Sequence, residues 1–216
     1  MVVCWENCVS GKKIALPVEV TAKTTILSIT KQPNEDTVQT LKSVKPEGTV
    51  TFRKPVREDG AEIWELIRAC KPLDENSMYA NLLQADHFRD TCVVAEMDGQ
   101  IVGWVSGYIL PYDPDTVFVW QVAVSNKARG KGVGGRMLEA LLTRDICSDV
   151  RRLQTTITSD NDASWGLFKK FAEERGGLLD DRAHFTKDTH FQGLHSTEHM
   201  VTISFPGQLR SLRSCN

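Results

Sequence analysis

The segment Gln121–Gly135, QVAVSNKARGKGVGG, constrains this chain most, because a β-branched strand runs straight into a glycine-rich turn and then into an amphipathic helix. Glycines at 130, 132 and 134 let the backbone approach a ligand, and the helix start offers N–H groups that have no partner within the helix. Such a turn is an anion cradle suited to a pyrophosphate, although a tight strand-to-helix turn without a ligand would read the same way. Spacing separates it from two better-known phosphate loops. The order Arg129-Gly130-Lys131-Gly132-Val133-Gly134 lacks the acidic residue that ends the next strand in a dinucleotide fingerprint, since Asp149 precedes that strand. It also lacks the G-x-x-x-x-G-K-[ST] order.

Periodicity organises the chain around this turn from Thr49 onward. Thr49–Arg53 reads as a strand, and Arg57–Cys70 as a helix with Ile63, Leu66, Ile67 and Cys70 on one face. A short helix is expected from Glu75 to Gln84. Strands follow at Thr91–Glu96 and Gln100–Ile109, joined by the hairpin pair Asp98-Gly99. Next come a strand at Val117–Val124, the glycine turn, a helix to about Cys147, a strand at Arg151–Thr158 and a helix at Asn161–Arg175. Two last strands are placed around His184–Lys187 and at Glu198–Phe205. The order β-α-α-β-β-β-α-β-α-β-β predicts an α/β fold, a mixed and mostly antiparallel central sheet flanked by helices.

Composition removes several function classes. The formal net charge of −2 argues against a nucleic-acid partner held by general electrostatics. No apolar run reaches the ~18 residues a membrane span needs, so no membrane partner is expected. Six cysteines without a C-x-x-C pair imply neither a disulfide framework nor a zinc site and fit a reducing cytoplasm; Cys70, Cys92 and Cys147 read as buried apolar residues. His195 and His199 sit four apart at a strand start, too far apart for one ion, so no metal is expected; His184, His190 and His199 read as surface or packing residues. Residues 1–48 carry no sustained apolar period and are expected to be a poorly ordered extension, with one short strand at Thr24–Thr30. The folded domain is placed at residues 49–206 and a tail at 207–216.

The R-x-x-G-x-G order of Arg129–Gly134 resembles the GCN5-related N-acetyltransferases. Four further stretches narrow the likeness: Lys71-Pro72-Leu73-Asp74-Glu75-Asn76-Ser77-Met78-Tyr79, Val119-Trp120-Gln121-Val122-Ala123-Val124, Thr155–Asn161, and His195-Ser196-Thr197-Glu198-His199-Met200. Together they resemble the L-2,4-diaminobutyrate acetyltransferase family of ectoine biosynthesis, over Thr49 to about Phe205. The resemblance implies the N-acetyltransferase fold, acetyl-coenzyme A as cosubstrate, a small diamine as acceptor and a homodimer. It implies transfer of the acetyl group to the 4-amine, giving N4-acetyl-L-2,4-diaminobutyrate. It places the pyrophosphate at Arg129, Gly130, Lys131, Gly132, Val133, Gly134 and Gly135, and the pantetheine arm along Val122, Ala123 and Val124, with Asn161, Ser164 and Phe168 beside it. It places Asp74, Tyr79, Trp120, His195 and Glu198 around the diamine.

Chemistry assigns these residues roles. Asp74 and Glu198 can hold ammonium groups, and Trp120 offers a flat apolar or cation–π wall. Glu198 is the leading candidate for proton removal, with His195 and Tyr79 as further catalytic candidates. Structural readings stand beside these: Asp74 precedes a helix and can be its N-cap, and Trp120 can be strand core. Phe168 stands where many acetyltransferases carry a tyrosine able to protonate the leaving thiolate, and phenylalanine cannot donate. Another diamine or polyamine as acceptor, and an acyl-coenzyme A sensor without chemistry, remain alternatives.

Overall fold

The protein is described here from a computed structural model, over residues 48–71 and 73–207; the expected extension, its short strand and the end of the tail lie outside these residues. Seven strands form one sheet in the order β1-β2-β3-β4-β5-β7-β6. They are β1 Val50–Arg53, β2 Val93–Met97, β3 Gln100–Leu110, β4 Asp113–Val124, β5 Arg152–Thr158, β6 Leu178–Phe185 and β7 Glu198–Ser204. All pair antiparallel except β4 with β5. The helices are α1 Gly60–Ala69, α2 Met78–Asp86, α3 Val133–Leu142 and α4 Asp162–Glu174. Among the described residues no helix is long and apolar enough to cross a membrane.

The β2–β3 turn takes left-handed φ at both Asp98 (53°) and Gly99 (75°). That is the twist a two-residue hairpin requires, and it explains why the Asp-Gly pair is legible. Each sheet face carries its own core. On one side α3 and α4 bury Met137, Leu138, Leu141, Phe168 and Phe171 against Val102, Val117, Val119 and Leu153. On the other, Ile63, Leu66 and Ile67 of α1 pack with Ala85 of α2 on Val94, Trp104 and Ala123. Each fully buried aliphatic side chain contributes about 1.5–3 kcal/mol, so these two layers hold the sheet between them. Gly103 keeps α3 close: a Cβ there would meet Met137 Sδ at 2.9 Å. Cys70, Cys92 and Cys147 are buried free thiols, and burial raises Cys92 to about 12.

Several expected boundaries move. The helix at Arg57 begins as a 3-10 turn, Arg57–Asp59, before α1. The Asp59 carboxylate there accepts from Val56 N and Arg53. The second helix starts at Met78, not Glu75, because Ser77 is its N-cap and accepts from Ala80 N at 3.1 Å. The helix after the glycine turn stops at Leu142, and Cys147 belongs to a separate 3-10 turn, Asp145–Cys147. The penultimate strand runs Leu178–Phe185, not His184–Lys187. It is an edge strand whose Asp180, Asp181 and Arg182 face solvent, so it lacks the apolar alternation that marks an interior strand.

Candidate active site

Two features open the sheet at its centre. The β4–β5 pairing covers only Thr116–Phe118 against Arg152–Gln154, while β4 runs on to Val124 and β5 to Thr158. Past Phe118 the two strands separate, leaving a wedge. Just there, β3 pairs Gly107 with Val119 and Ser106 with Gln121, so Trp120 is an extra, unpaired residue. A bulge of this kind bends the strand and shifts its facing pattern. Val117 and Val119 point into the α3–α4 core before it, and Val122 and Val124 pack there after it. Gly107 is needed opposite, since a Cβ would meet the Phe118 carbonyl oxygen at 2.6 Å.

The first cavity, about 770 Å³, lies at the wedge and the glycine turn. Val122, Val124, Arg129, Gly130, Val133, Gly135, Asn161 and Ser164 are among its lining residues. Gly130 and Gly132 adopt φ of 75° and 67°, and a Cβ at Gly130, Gly132 or Gly135 would meet no atom within 4 Å. Open space therefore faces the turn and the N-terminus of α3, where Gly132 is the cap residue and lends no side-chain hydrogen bond. Gly134 differs from the cradle reading, because its Cβ would press on Leu167 of α4 at 3.1 Å. It serves helix–helix approach. Five basic side chains, Lys71, Arg129, Arg136, Lys170 and Arg175, line this cavity against two acidic ones, Glu139 and Glu174. Lys131 is not among the lining residues, and Ala123 faces the opposite core at 1% exposure, so its contribution is backbone alone. The Val124 carbonyl already accepts from Arg129 Nε and Cys70 Sγ. Asn161 Oδ1 caps α4 by accepting from Ser164 N at 3.1 Å, which leaves its Nδ2 to donate.

The second cavity, about 590 Å³, meets the first at Leu73, Val122, Asn161 and Ser164. It gathers Asp74, Trp120, and the pair His195 and Glu198 from three separate segments. His195 Nδ1 lies 2.8 Å from the Ser196 carbonyl, which can only accept, so Nδ1 carries a proton. Its Nε2 then faces Asp74 Oδ2 at 3.7 Å and Glu198 Oε1 at 4.0 Å. Burial pushes the Glu198 carboxyl above the usual carboxylate range; the Thr156 hydroxyl and His195 oppose that shift, and Asp74 adds to it. Trp120 is 51% exposed and lines the cavity, so it is not core. Asp74 is not an N-cap, since Ser77 holds that place. Phe168 is buried at the cavity wall. Tyr79 sits on the first turn of α2, is 69% exposed, and lines neither cavity.

Residues 60–172 match the model of the acetyltransferase (GNAT) family. The chain is 47% identical over 154 residues to L-2,4-diaminobutyric acid acetyltransferase of Methylotuvimicrobium alcaliphilum, covering 71% of this chain and 90% of that one. It is 52% identical over 156 residues to the enzyme of the same name from Chromohalobacter salexigens, covering 72% and 81%. The chain belongs to the diaminobutyrate acetyltransferases of the GNAT family. A solved relative of this acetyltransferase is the diaminobutyrate acetyltransferase of Paenibacillus lautus, in complex with its substrate L-2,4-diaminobutyric acid and coenzyme A. The two superpose with a TM-score of 0.70 at 38% identity, over 73% of this chain and 95% of that one.

Sequence reasoning missed several polar residues of the acetyltransferase's second cavity, Asp160, Gln121 and Asn76 among them. Asp160 lines it, held below the usual carboxylate range by the Thr158 hydroxyl, its own backbone N–H and His195. Gln121 and Asn76 line it as well and bond to each other at 2.8 Å. Gln121 was hidden because strand alternation assigns neighbours to opposite faces, whereas the bulge brings Trp120 and Gln121 to one cavity. His199 bonds Asp181 at 3.3 Å and packs edge-on against Trp165, a packing role as expected. His184 and His190 pack on Phe185, and His190 Nδ1 accepts from Thr186 N.

Proposed function

We propose that this protein transfers acetyl from acetyl-coenzyme A to the 4-amino group of L-2,4-diaminobutyrate, giving N4-acetyl-L-2,4-diaminobutyrate for ectoine biosynthesis. One observation carries the reading: a cavity lined by Asp74, Asp160 and Glu198, with no Lys or Arg, opens onto a basic cavity at a glycine turn. A compact dication suits the acidic cavity, and a polyanionic cosubstrate the basic one. The resemblance further supports a homodimer acting in the cytoplasm.

The residues of the first cavity fit coenzyme A. Backbone N–H groups from Gly130 to Gly135, together with Arg129, would hold its pyrophosphate, and the unpaired edge of β4 at Val122–Val124 would run beside its arm. Bound acetyl-coenzyme A supplies an activated acyl group as a thioester. The chain's own part is to present a neutral amine to it. A free amine of this class is protonated near pH 7, its ordinary pKa being about 10.4. Asp74 and Asp160 anchor one ammonium, Trp120 walls the methylene chain, and Glu198 takes the proton from the other amine, directly or through water. The half-buried setting of Glu198 raises its basicity toward that task. His195 carries positive charge between Asp74 and Glu198 when protonated and can receive the substrate carboxylate. Phe168 offers no proton to the leaving thiolate, so solvent supplies it and takes up the proton that the new amide nitrogen sheds. The test supplies acetyl-coenzyme A with a panel of diamines and locates the acetyl group by NMR. Predominant 4-N-acetylation of diaminobutyrate is expected; acetylation of the α-amine would reverse the orientation, and preference for spermidine would replace the substrate class.

A further inference from the structure

Gln121 commits both ends of its side-chain amide to the loop that carries Asp74. Its Nε2 donates to the Asp74 carbonyl at 2.8 Å, and its Oε1 accepts from Asn76 Nδ2 at 2.8 Å. Gln121 is only 9% exposed, so water does not readily replace either bond. A third bond, from Trp64 Nε1 to the Asn76 carbonyl at 3.0 Å, ties the same loop to α1. The Asp74 carboxylate itself makes no side-chain hydrogen bond among the described residues, and its side chain is 84% exposed. Its position is inherited from its backbone, and that backbone is held by Gln121.

Glu198, the facing acid, is placed differently. It begins β7, an interior strand paired with β5 at Thr158 and with β6 at Phe185. The separation between the two acids is thus set by the sheet on one side and by the Gln121 clamp on the other. We propose that Gln121 is a positioning residue that determines how long a diamino acid the site accepts. The inference rests on the reading of the second cavity as the diamine site. A pocket discriminates one extra methylene by about 10- to 200-fold only if its walls do not yield. Here the yielding wall would be the Asp74 loop, and the clamp is what stops it. The Trp120 bulge makes this possible, since it lets the wall residue and the clamp residue, adjacent in sequence, serve one cavity.

The experiment uses the full-length enzyme with Gln121→Met, which keeps size and removes both bonds, and Gln121→Glu, which keeps the acceptor for Asn76 and loses the donor to Asp74. Initial rates are measured with diaminobutyrate and with ornithine, one methylene longer, and amide hydrogen exchange is followed over residues 73–77. In Gln121→Met the diaminobutyrate KM should rise about tenfold with kcat within twofold, the size expected from losing two part-buried hydrogen bonds. The kcat/KM preference for diaminobutyrate over ornithine should fall at least about fivefold, while the acetyl-coenzyme A KM stays unchanged. Loop exchange should quicken while that of β7 does not, and Gln121→Glu should fall between wild type and Gln121→Met. An unchanged chain-length preference in either folded variant would overturn the specificity role. Unchanged loop exchange would overturn the clamp, whatever the substrate proves to be. Wild-type enzyme inactive on both amino acids would remove the functional reading and the chain-length role together, and the exchange data would still decide the clamp.

Discussion

The two cavities of this acetyltransferase share four residues and differ in almost everything else. The cosubstrate side centres on one continuous stretch of strand, turn and helix, β4 to α3, with the segment before α2 and α4 closing it, and is basic, with backbone groups at the turn and five cationic side chains around it. The diamine side is assembled from four stretches between residues 73 and 198, is acidic, and works through side chains. A backbone site tolerates side-chain change but not a change of φ. A side-chain site tolerates backbone-neutral change but not loss of a carboxylate.

Glu198→Gln should break the diamine side most severely. Turnover at pH 7 should fall by about 100-fold or more, the usual worth of a positioned base, and recover partly at high pH, where more free amine is neutral. The same variant should fold at least as well as wild type. Burial raises the folded-state pKa of Glu198, so folding binds a proton more readily than the unfolded chain does, and stability declines as pH rises from the unfolded toward the folded value. Above that window the penalty is constant, and Gln removes it. A melting temperature of Glu198→Gln well below wild type at pH 7 would contradict this ordering.

On the cosubstrate side, Gly132 and Gly134 should part company. Gly132 holds φ 67° at the start of α3, and a non-glycine residue there costs about 1–2 kcal/mol, so Gly132→Ala should raise the acetyl-coenzyme A KM about tenfold and leave the diamine KM alone. Gly134→Ala meets the flexible end of Leu167 instead, so its effect falls on helix packing, offset by about 1 kcal/mol of helix propensity gained, and should leave coenzyme A affinity near wild type. Calorimetry of coenzyme A binding to both variants checks the contrast, and equal losses of affinity would erase it.

Smaller effects refine the diamine wall. Trp120→Ala should raise the diamine KM about fivefold through loss of a roughly 1 kcal/mol cation–π and packing contact, with the acetyl-coenzyme A KM unmoved. A matching rise in both constants would mean that Trp120 supports the wedge and not the substrate. Removal of residues 1–40 should change neither constant, because that stretch lacks the apolar period a core segment needs; insoluble truncated protein would show that it packs on the domain.

Much of this was legible in local patterns. The hairpin at Asp98-Gly99, the apolar face of α1 and the glycine turn each follow from neighbours within a few residues, and the turn marked the backbone-lined part of the cosubstrate side. Asp74, Trp120, His195 and Glu198 came through resemblance, since no spacing links positions so far apart, and the fold brings these four to one cavity while leaving Tyr79 on the exposed face of α2. The edge strand Leu178–Phe185 stayed hidden because a strand with solvent on both faces has no apolar period to read. Gln121, Asp160 and the special place of Gly134 were decided by tertiary structure alone. A bulge at Trp120, a three-residue parallel pairing that then opens, and the approach of Leu167 are contacts between distant segments. Sequence determines which residues prefer a strand, a turn or a helix, because those preferences are local; which side chains share a cavity depends on where strands part and helices meet, and that is settled only when the whole sheet is packed.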